Sequence, residues 1–267
     1  YKCHNCGASL SFNNFLKQID TTLHKQYCLE KFKEGHTGKN FVIDEPKFDF
    51  KKPVFEKKLD LPKASEVPIA KQYLEKRKLD PTKFYFAHKF KKWVNTQKQT
   101  FDTITRDESR IIIPMYDVES NLIGFQGRSL GPNFVKYITI MINDDAPKIY
   151  GLDKINETKP IYIVEGPFDS LFVDNSVAMC GSDLDPRTFG WSNYIWVYDN
   201  EPRNREILNR ISKTINRGDK VIIWPDEIVE KDINDMILSG HNIMSILKLN
   251  TYSNLEAKVK FNNWKKV

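Results

Sequence analysis

The feature that most constrains the fold is a series of short apolar runs in the second half of the chain. They occupy residues 161–164, 177–180, 194–198 and 221–224. Helical patterns separate these runs, and the clearest spans residues 206–217, with Gly218 to end it. Continuous apolar strands that alternate with helices are typical of a parallel sheet covered on both faces. The sequence therefore predicts an α/β fold built on βαβ units.

Acidic residues follow two of these runs at the points where the strands should end. Glu165 comes directly after the first run, and Asp199 and Glu201 follow the third. Ligands of open parallel sheets bind beyond the carboxyl ends of the strands, so we expect the three side chains to converge there. Asp199 and Glu201 would point to the same side of an extended chain. Close carboxylates repel one another, which favours a hard cation among them.

Residues 110–140 predict a second, antiparallel sheet of three strands. Two glycines interrupt the middle strand, and basic side chains accompany the sheet at Arg110, Arg128 and Lys136. The chain has 41 Lys and Arg against 35 Asp and Glu, a net charge of +6, which suits a polyanionic partner. The alternative is a solvated sheet face with ordinary surface cations, and the residues alone leave the two open.

The first residues contain a Cys-x-x-Cys pair, Cys3 and Cys6, followed by a glycine. Such a pair is half of a structural zinc site, which needs four nitrogen or sulfur ligands. Cys28 and His24 share a helical pattern, and we interpret Cys28 as a core residue. We therefore expect the missing ligands upstream of Tyr1, in an N-terminally truncated chain, and weak zinc binding here. Two ordinary surface cysteines are the alternative.

In combination these motifs resemble a TOPRIM domain within a DNA primase. Glu165-Gly166 and the Asp199-Asn200-Glu201 triplet resemble its strand–Glu-Gly and acid-x-acid elements. The block from Arg110 to Lys136 resembles the basic region that precedes TOPRIM in bacterial and phage primases. Residues 196–202 and 231–235 resemble the primases of T-even-type phages more narrowly. The likeness extends from the Cys pair to about residue 240.

The chain departs from the family pattern at two positions. Glu201 stands where the acid pair more commonly ends in Asp, and Asn234 takes the second acidic place of a later Asp-x-Asp element. The resemblance still implies a TOPRIM parallel-sheet domain preceded by a smaller α+β basic subdomain, with a partial zinc-ribbon module at the N-terminus. The corresponding segments are 1–36 (partial zinc module), 37–67 (linker), 68–157 (basic subdomain), 158–240 (TOPRIM) and 241–267 (basic tail).

The resemblance implies a primase that makes short RNA primers on single-stranded DNA during phage replication. Glu165, Asp199 and Glu201 would be catalytic and would hold magnesium or manganese, with Asp169 and Asp232 as further metal ligands. Asp232 could instead be only a helix N-cap. Cys3 and Cys6 would hold zinc in the full-length protein. The tail could dock on the domain or contact a partner.

The same resemblance implies the partners. Arg110, Arg128 and Lys136 would contact the template or a ribonucleoside triphosphate. The replicative helicase would be a separate chain, since no G-x-x-x-x-G-K-[ST] motif occurs, and a single-stranded-DNA-binding protein is a further expected partner. No apolar stretch reaches the ~20 residues of a membrane span. The spacing of the four Cys suggests no disulfide framework, so we expect a reducing compartment, which for a phage primase is the host cytoplasm. A TOPRIM-type nuclease or topoisomerase, or a non-catalytic DNA-binding subunit, are the alternative functions.

Overall fold

The computed structural model describes residues 10–34, 59–131, 135–181 and 184–267. The chain divides into two compact units, Tyr1–Pro53 and Val54–Val267. The described part of the first unit is a helix pair, α1 (Phe12–Ile19) and α2 (Thr21–Lys33). Asp20 separates the helices, because its carboxylate caps α2 by accepting the N–H groups of residues 22 and 23. Cys3 and Cys6 lie outside the described residues.

Cys28 is an exposed residue of α2, and its interpretation as a core residue is wrong. The predicted helical spacing around Cys28 is present in α2. However, no residue of α1 or α2 is buried among the residues that the structure describes in this unit. The Cys28 Sγ atom lies 3.6 Å from Nε2 of His24 and 3.7 Å from Oδ1 of Asn13. A thiol and an imidazole one helical turn apart thus face the same side of α2.

The second unit begins with an antiparallel sheet that confirms the predicted meander and adds one strand to it. Its order is β1-β2-β3-β4, and the α3 and α4 helices accompany it. Alternate residues of β2 enter two separate apolar clusters, one with Ile111 and Ile113 and the other with Ile112. The elements are α3 (Pro68–Lys76), β1 (Tyr85–Ala87), α4 (Phe90–Gln97), β2 (Arg110–Tyr116), β3 (Leu122–Ser129) and β4 (Tyr137–Met141).

The predicted parallel sheet follows, with the order β6-β5-β7-β8-β9. The first four strands are parallel, and β9 pairs antiparallel with β8 at the edge. The strands are β5 (Ile161–Val164), β6 (Ser176–Ala178), β7 (Tyr194–Trp196), β8 (Lys220–Ile222) and β9 (Thr251–Tyr252). The helices are α5 (Pro167–Ser170), α6 (Arg205–Asn216), α7 (Ile233–Leu238), α8 (Ile243–Leu249) and α9 (Asn254–Trp264). The α/β fold class is thereby confirmed.

Both ends of the second unit are more tightly integrated than the sequence suggested. Ala64, within the predicted linker, is fully buried, and its N–H donates to the carbonyl of Phe84 at 2.9 Å. The predicted basic tail supplies β9 and α9, and Ala257 and Trp264 of α9 are buried. The tail therefore docks on the parallel-sheet domain. No helix in the described ranges is long and apolar enough to cross a membrane.

Candidate active site

The three predicted catalytic acids lie at the carboxyl ends of two adjacent strands. Glu165 directly follows β5, and Asp199 and Glu201 lie in the segment between β7 and α6. Their side chains line one cleft of about 270 Å³, together with Arg210 and Lys231. This is the edge of a parallel sheet where ligands bind. The structure thus brings the three acids together.

The reason why Asp199 and Glu201 reach the same cleft differs from the predicted one. The chain is not extended there, because the N–H of Glu201 donates to the carbonyl of Asp199 at 2.9 Å. A hydrogen bond between residues two apart is that of a three-residue γ-turn. The extended-strand alternation that we expected is therefore wrong. The turn folds the two acidic residues toward one side of the loop.

Glu165 and Asp199 are carboxylates in an environment that disfavours their charge. Burial raises the pKa of Glu165, the charge of Arg210 opposes this effect, and the nearby carboxylate of Glu201 adds to it. Burial, followed by the charges of Glu165 and Asp169, raises the pKa of Asp199 to about 8. The Oε1 atom of Glu165 is buried and has no hydrogen-bond partner among the described residues. The nearby cations Arg210 and Lys231 therefore do not fully offset burial and the crowded negative charge of this site.

Asp169 lies on α5, next to the cleft acids but not on the cleft surface. Its Oδ1 atom accepts the N–H of Asn234 at 3.0 Å. Burial, followed by the charge of Asp232, raises the pKa of Asp169 to about 7. A Cβ atom at Gly166 would lie 2.8 Å from Oδ2 of Asp169, so a side chain there would displace this carboxylate. Glycine after Glu165 therefore keeps α5 close to the strand end.

Asp232 is the N-cap of α7, and its Oδ1 atom accepts the N–H of Asp235 at 2.8 Å. The capping interpretation is confirmed. Asp232 also contributes negative charge to the site, since it raises the pKa of both Asp169 and Asp199. Asp232 therefore adds charge to the site, whether or not it contacts a cation.

Within the described residues, no group of three or more His, Cys, Asp or Glu side chains is arranged so that it could hold a metal ion. The acids form an open, electronegative cleft, and not a closed cage. Magnesium prefers this kind of site, because it retains waters and is bound by one or two carboxylates together with substrate phosphates. The unpartnered oxygen of Glu165 and the raised pKa of Asp199 fit such an ion.

Polar residues that the sequence did not single out fix the geometry of Glu201. The Nζ atom of Lys231 lies 3.0 Å from Oε1 of Glu201, and Nδ2 of Asn204 donates to Oε2 at 3.1 Å. Arg210 lines the same cleft and is paired with Glu206 at 2.8 Å. Lys231 directly precedes Asp232 in the motif of residues 231–235, so this motif could have indicated its place at the site. No sequence motif indicates a role for Asn204.

Arg110 does not lie where a template could reach it. It is 2% exposed, and its guanidinium donates to the carbonyls of Gly127 at 2.9 Å and Val135 at 2.8 Å. It also pairs with the carboxylate of Glu108. The expected contact between Arg110 and a nucleic acid is therefore corrected. Arg110 links β2 to the start of β4 and belongs to the fold.

Arg128 and Lys136 lie on the side of the antiparallel sheet that adjoins the acids. The Nε atom of Arg128 donates to the hydroxyl of Tyr73 at 3.0 Å, and its guanidinium lies over the ring of Tyr137 at 4.5 Å. Lys136 is exposed, and desolvation followed by the charge of Arg128 lowers its pKa. The charge of Asp232 opposes that effect. Lys136 therefore borders the acidic site, within reach of an anion that enters it.

Asn234 on α7 is bonded to the end of α3 and to α5. It is 2% exposed, and its side chain exchanges hydrogen bonds with Arg77, accepting from Nη1 at 2.7 Å and donating to the carbonyl at 2.9 Å. Its own N–H is bound by Asp169. An Asn at the place of a family Asp is thus used to orient Asp169 and to hold α3 against α7. Sequence reasoning noted the substitution and missed this use.

The fold is similar to that of primase catalytic cores. The solved structures similar to it include the E. coli primase catalytic core, at 20% identity over 76% of this chain and 80% of that one, with a TM-score of 0.55. The Aquifex aeolicus primase (zinc-binding and RNA polymerase domains) has 19% identity over 98% and 79%, and a TM-score of 0.54. The DnaG primase catalytic domain bound to ssDNA has 20% identity over 71% and 74%, and a TM-score of 0.53. No family profile matches the chain.

Sequence comparison identifies the particular family. The chain is 32% identical to the DNA primase of Enterobacteria phage T4 over an alignment of 284 positions, gaps included, which covers 99% of this chain and 81% of that protein. The chain therefore belongs to the family of the phage T4 DNA primase. It is a primer-synthesising, polymerase-type enzyme of DNA replication. The resemblance to phage primases that the motifs predicted is confirmed.

Proposed function

We propose that this chain is a DNA-directed RNA polymerase of the primase type, a nucleotidyltransferase that joins ribonucleotides into short primers on single-stranded DNA. The observation that carries the proposal is the convergence of Glu165, Asp199 and Glu201 on one cleft at the carboxyl end of the parallel sheet. The unpartnered Glu165 oxygen and the raised pKa of Asp199 support a cation there. Phosphoryl transfer depends mainly on positioning and on neutralisation of phosphate charge, which such a site provides.

In this proposal Glu165, Asp199 and Glu201 hold magnesium or manganese. When bound, the ion neutralises phosphate charge and activates the attacking hydroxyl. Because Asp199 is buried and lies close to other carboxylates, its pKa is about 8, and it holds a proton up to about that pH in the protein without metal. Lys231 and Asn204 fix the two oxygens of Glu201. Asp169 and Asp232 contribute charge from the adjoining helices α5 and α7.

The basic sheet supplies the contacts to the template or to a ribonucleoside triphosphate. We propose Lys136 as the direct phosphate contact, because it is exposed and borders the acids. Arg128 is mostly buried and lies over the ring of Tyr137, next to Lys136 in sequence, so it both adds charge and orders this edge. One of the similar solved structures is a primase catalytic domain bound to ssDNA, which supports a template-binding role for this fold.

The N-terminal unit is proposed to bind zinc. One similar primase structure is named for its zinc-binding domain. His24 and Cys28 present an imidazole and a thiol side by side on α2, so the chain holds two candidate ligands besides Cys3 and Cys6. We propose these four as the ligand set, with the ligands upstream of Tyr1 that the sequence predicts as the alternative. Three Cys and one His form an ordinary structural zinc site.

The proposed setting is the cytoplasm of a phage-infected host cell. A replicative helicase on a separate chain and a single-stranded-DNA-binding protein are the proposed partners. The sequence contains no Walker motif that would supply a motor on this chain.

Incorporation of labelled ribonucleotides tests the proposed activity. The purified chain is incubated with single-stranded DNA, the four ribonucleotides and magnesium, and the products are resolved by length. We expect short, ribonuclease-sensitive products that disappear with EDTA. Nicking or relaxation of supercoiled DNA in a parallel reaction, without ribonucleotide incorporation, would support the TOPRIM-type strand-breaking alternative. DNA binding without either reaction would support a non-catalytic subunit.

A further inference from the structure

The segment that carries Asp199 and Glu201, residues 197–204, is irregular between β7 and α6; we call it the acidic loop. Its middle residue, Asn200, is held by hydrogen bonds to the segment that precedes α7. The Asn200 N–H donates to the carbonyl of Lys231 at 2.7 Å. Its Nδ2 atom donates to the carbonyls of Ile228 at 2.9 Å and Glu230 at 3.0 Å. Asn200 therefore fastens the acidic loop to a neighbouring loop of the site.

The remaining polar atom of this side chain is held by the C-terminal helix. The indole Nε1 of Trp264 donates to Oδ1 of Asn200 at 3.1 Å, across 64 residues of sequence. Trp264 is the last residue of α9 and is 5% exposed. Two residues further on, the N–H of Lys266 donates to the carbonyl of Pro202 at 2.9 Å. The end of α9 thus touches the acidic loop at two points.

These contacts determine which way the Asn200 amide faces. An amide has one accepting and one donating end, and only one orientation satisfies two carbonyl acceptors on one side and an indole donor on the other. Asp199 and Glu201 are the residues on either side of Asn200, so a rotation of its backbone moves both carboxylates. Displacements of about 1 Å at an active site can reduce a rate roughly a hundredfold.

We propose that Trp264 is a positioning residue for the metal-binding acids, acting through Asn200. This inference rests on the proposed function, in which Asp199 and Glu201 bind magnesium. The C-terminal helix would then set the affinity of the site for the ion without contacting it. Its basic character would be incidental to this role.

A Trp264→Phe variant removes the indole N–H and keeps an aromatic ring at the position. A matched control is Trp93→Phe, because the Nε1 atom of Trp93 has no hydrogen-bond partner among the described residues and the same change removes no bond there. Manganese binding to the full chain, followed by electron paramagnetic resonance in the absence of nucleotides, gives a readout independent of activity. We expect Trp264→Phe to weaken manganese binding roughly three- to tenfold, the effect of one lost hydrogen bond. Trp93→Phe should leave it unchanged.

Backbone hydrogen exchange and a double-mutant cycle separate positioning from general destabilisation. Trp264→Phe should speed exchange of the Asn200 amide selectively, with a melting temperature near that of Trp93→Phe. In an Asn200→Ala background, the Trp264→Phe change should have no further effect on manganese binding. An equal effect in both backgrounds, or unaltered binding in Trp264→Phe alone, overturns the inference. If the unmodified chain binds no manganese, the proposed function itself fails.

Discussion

Removing the charge of Asp199 should stabilise the protein in the absence of magnesium, by an amount that grows with pH. The pKa of this carboxyl is about 8 in the folded protein against an ordinary value of 3.8. Between these values the folded protein holds a proton that the unfolded chain releases, so the stability of the wild type falls as pH rises. Asn at this position neither gains nor loses a proton. The stability of the Asp199→Asn variant relative to the wild type should therefore increase with pH through this range.

The size of the effect follows from the shift in pKa. Each pH unit between the two values costs the wild type up to about 1.4 kcal/mol, so the interval from pH 5 to pH 7 corresponds to at most about 3 kcal/mol. We expect about half of this, because neighbouring acids such as Glu165 and Asp169 also adjust their protonation. A gain of about 1.5 kcal/mol raises the melting temperature of a domain of this size by roughly 3–6 °C.

The assay is a series of thermal melts in EDTA from pH 5 to pH 8, for the wild type, Asp199→Asn and the control Glu227→Gln, an exposed acid. The difference between Asp199→Asn and the wild type should grow with pH, and that of Glu227→Gln should stay flat. Added magnesium should raise the melting temperature of the wild type more than that of Asp199→Asn. A difference that does not change with pH would refute the reasoning, because Asp199 would then not be held among buried like charges.

Three further changes test other parts of the account. Cys28→Ser should lower the zinc content of the purified chain from about one equivalent. A colorimetric chelator measures the zinc after denaturation. An unchanged zinc content would exclude this thiol as a ligand. Lys136→Ala should weaken binding to a single-stranded oligonucleotide and reduce the slope of log affinity against log salt by nearly one ion. Lys248→Ala, at an exposed lysine, is the control. Equal slopes for the two variants would favour ordinary surface cations. Arg110→Met should lower the free energy of unfolding in urea by about 3 kcal/mol, because it removes the donors to the carbonyls of Gly127 and Val135 and the partner of Glu108. If the variant is folded and binds the template more weakly, Arg110 has a binding role after all.

The parallel strands β5 to β8 and the position of the acids at strand ends were predictable from the sequence because they depend on local patterns. The apolar run that became β5 has the predicted bounds, and Glu165 follows it at the edge of the sheet where parallel strands end. Asp199 and Glu201 were correctly assigned to the same place for a partly wrong reason, since a turn and not an extended strand brings them there. A short turn of this kind leaves no hydrophobic period by which to recognise it.

The burial of a side chain by distant parts of the chain could not be predicted from the sequence. Arg110 and Lys136 are both cations beside apolar strands in the sequence, and only the tertiary structure shows that the first is enclosed by carbonyls and the second is exposed. Cys28 has helical spacing to its neighbours, but its helix buries no residue within the described part of its unit. The bond between Trp264 and Asn200 spans 64 residues and follows from no motif.

The most direct test of the central claim is primer synthesis by variants that remove a carboxylate charge and keep its shape. Glu165→Gln and Asp199→Asn are compared with Glu227→Gln in ribonucleotide incorporation on single-stranded DNA with saturating magnesium, after a melt has shown that each variant is folded. Loss of several kcal/mol of charge stabilisation should lower the rate of the first two by at least about a hundredfold. Template binding should persist, since Lys136 and Arg128 are unchanged. A folded Asp199→Asn protein that makes primers at nearly the wild-type rate would contradict the assignment of this cleft as the catalytic site.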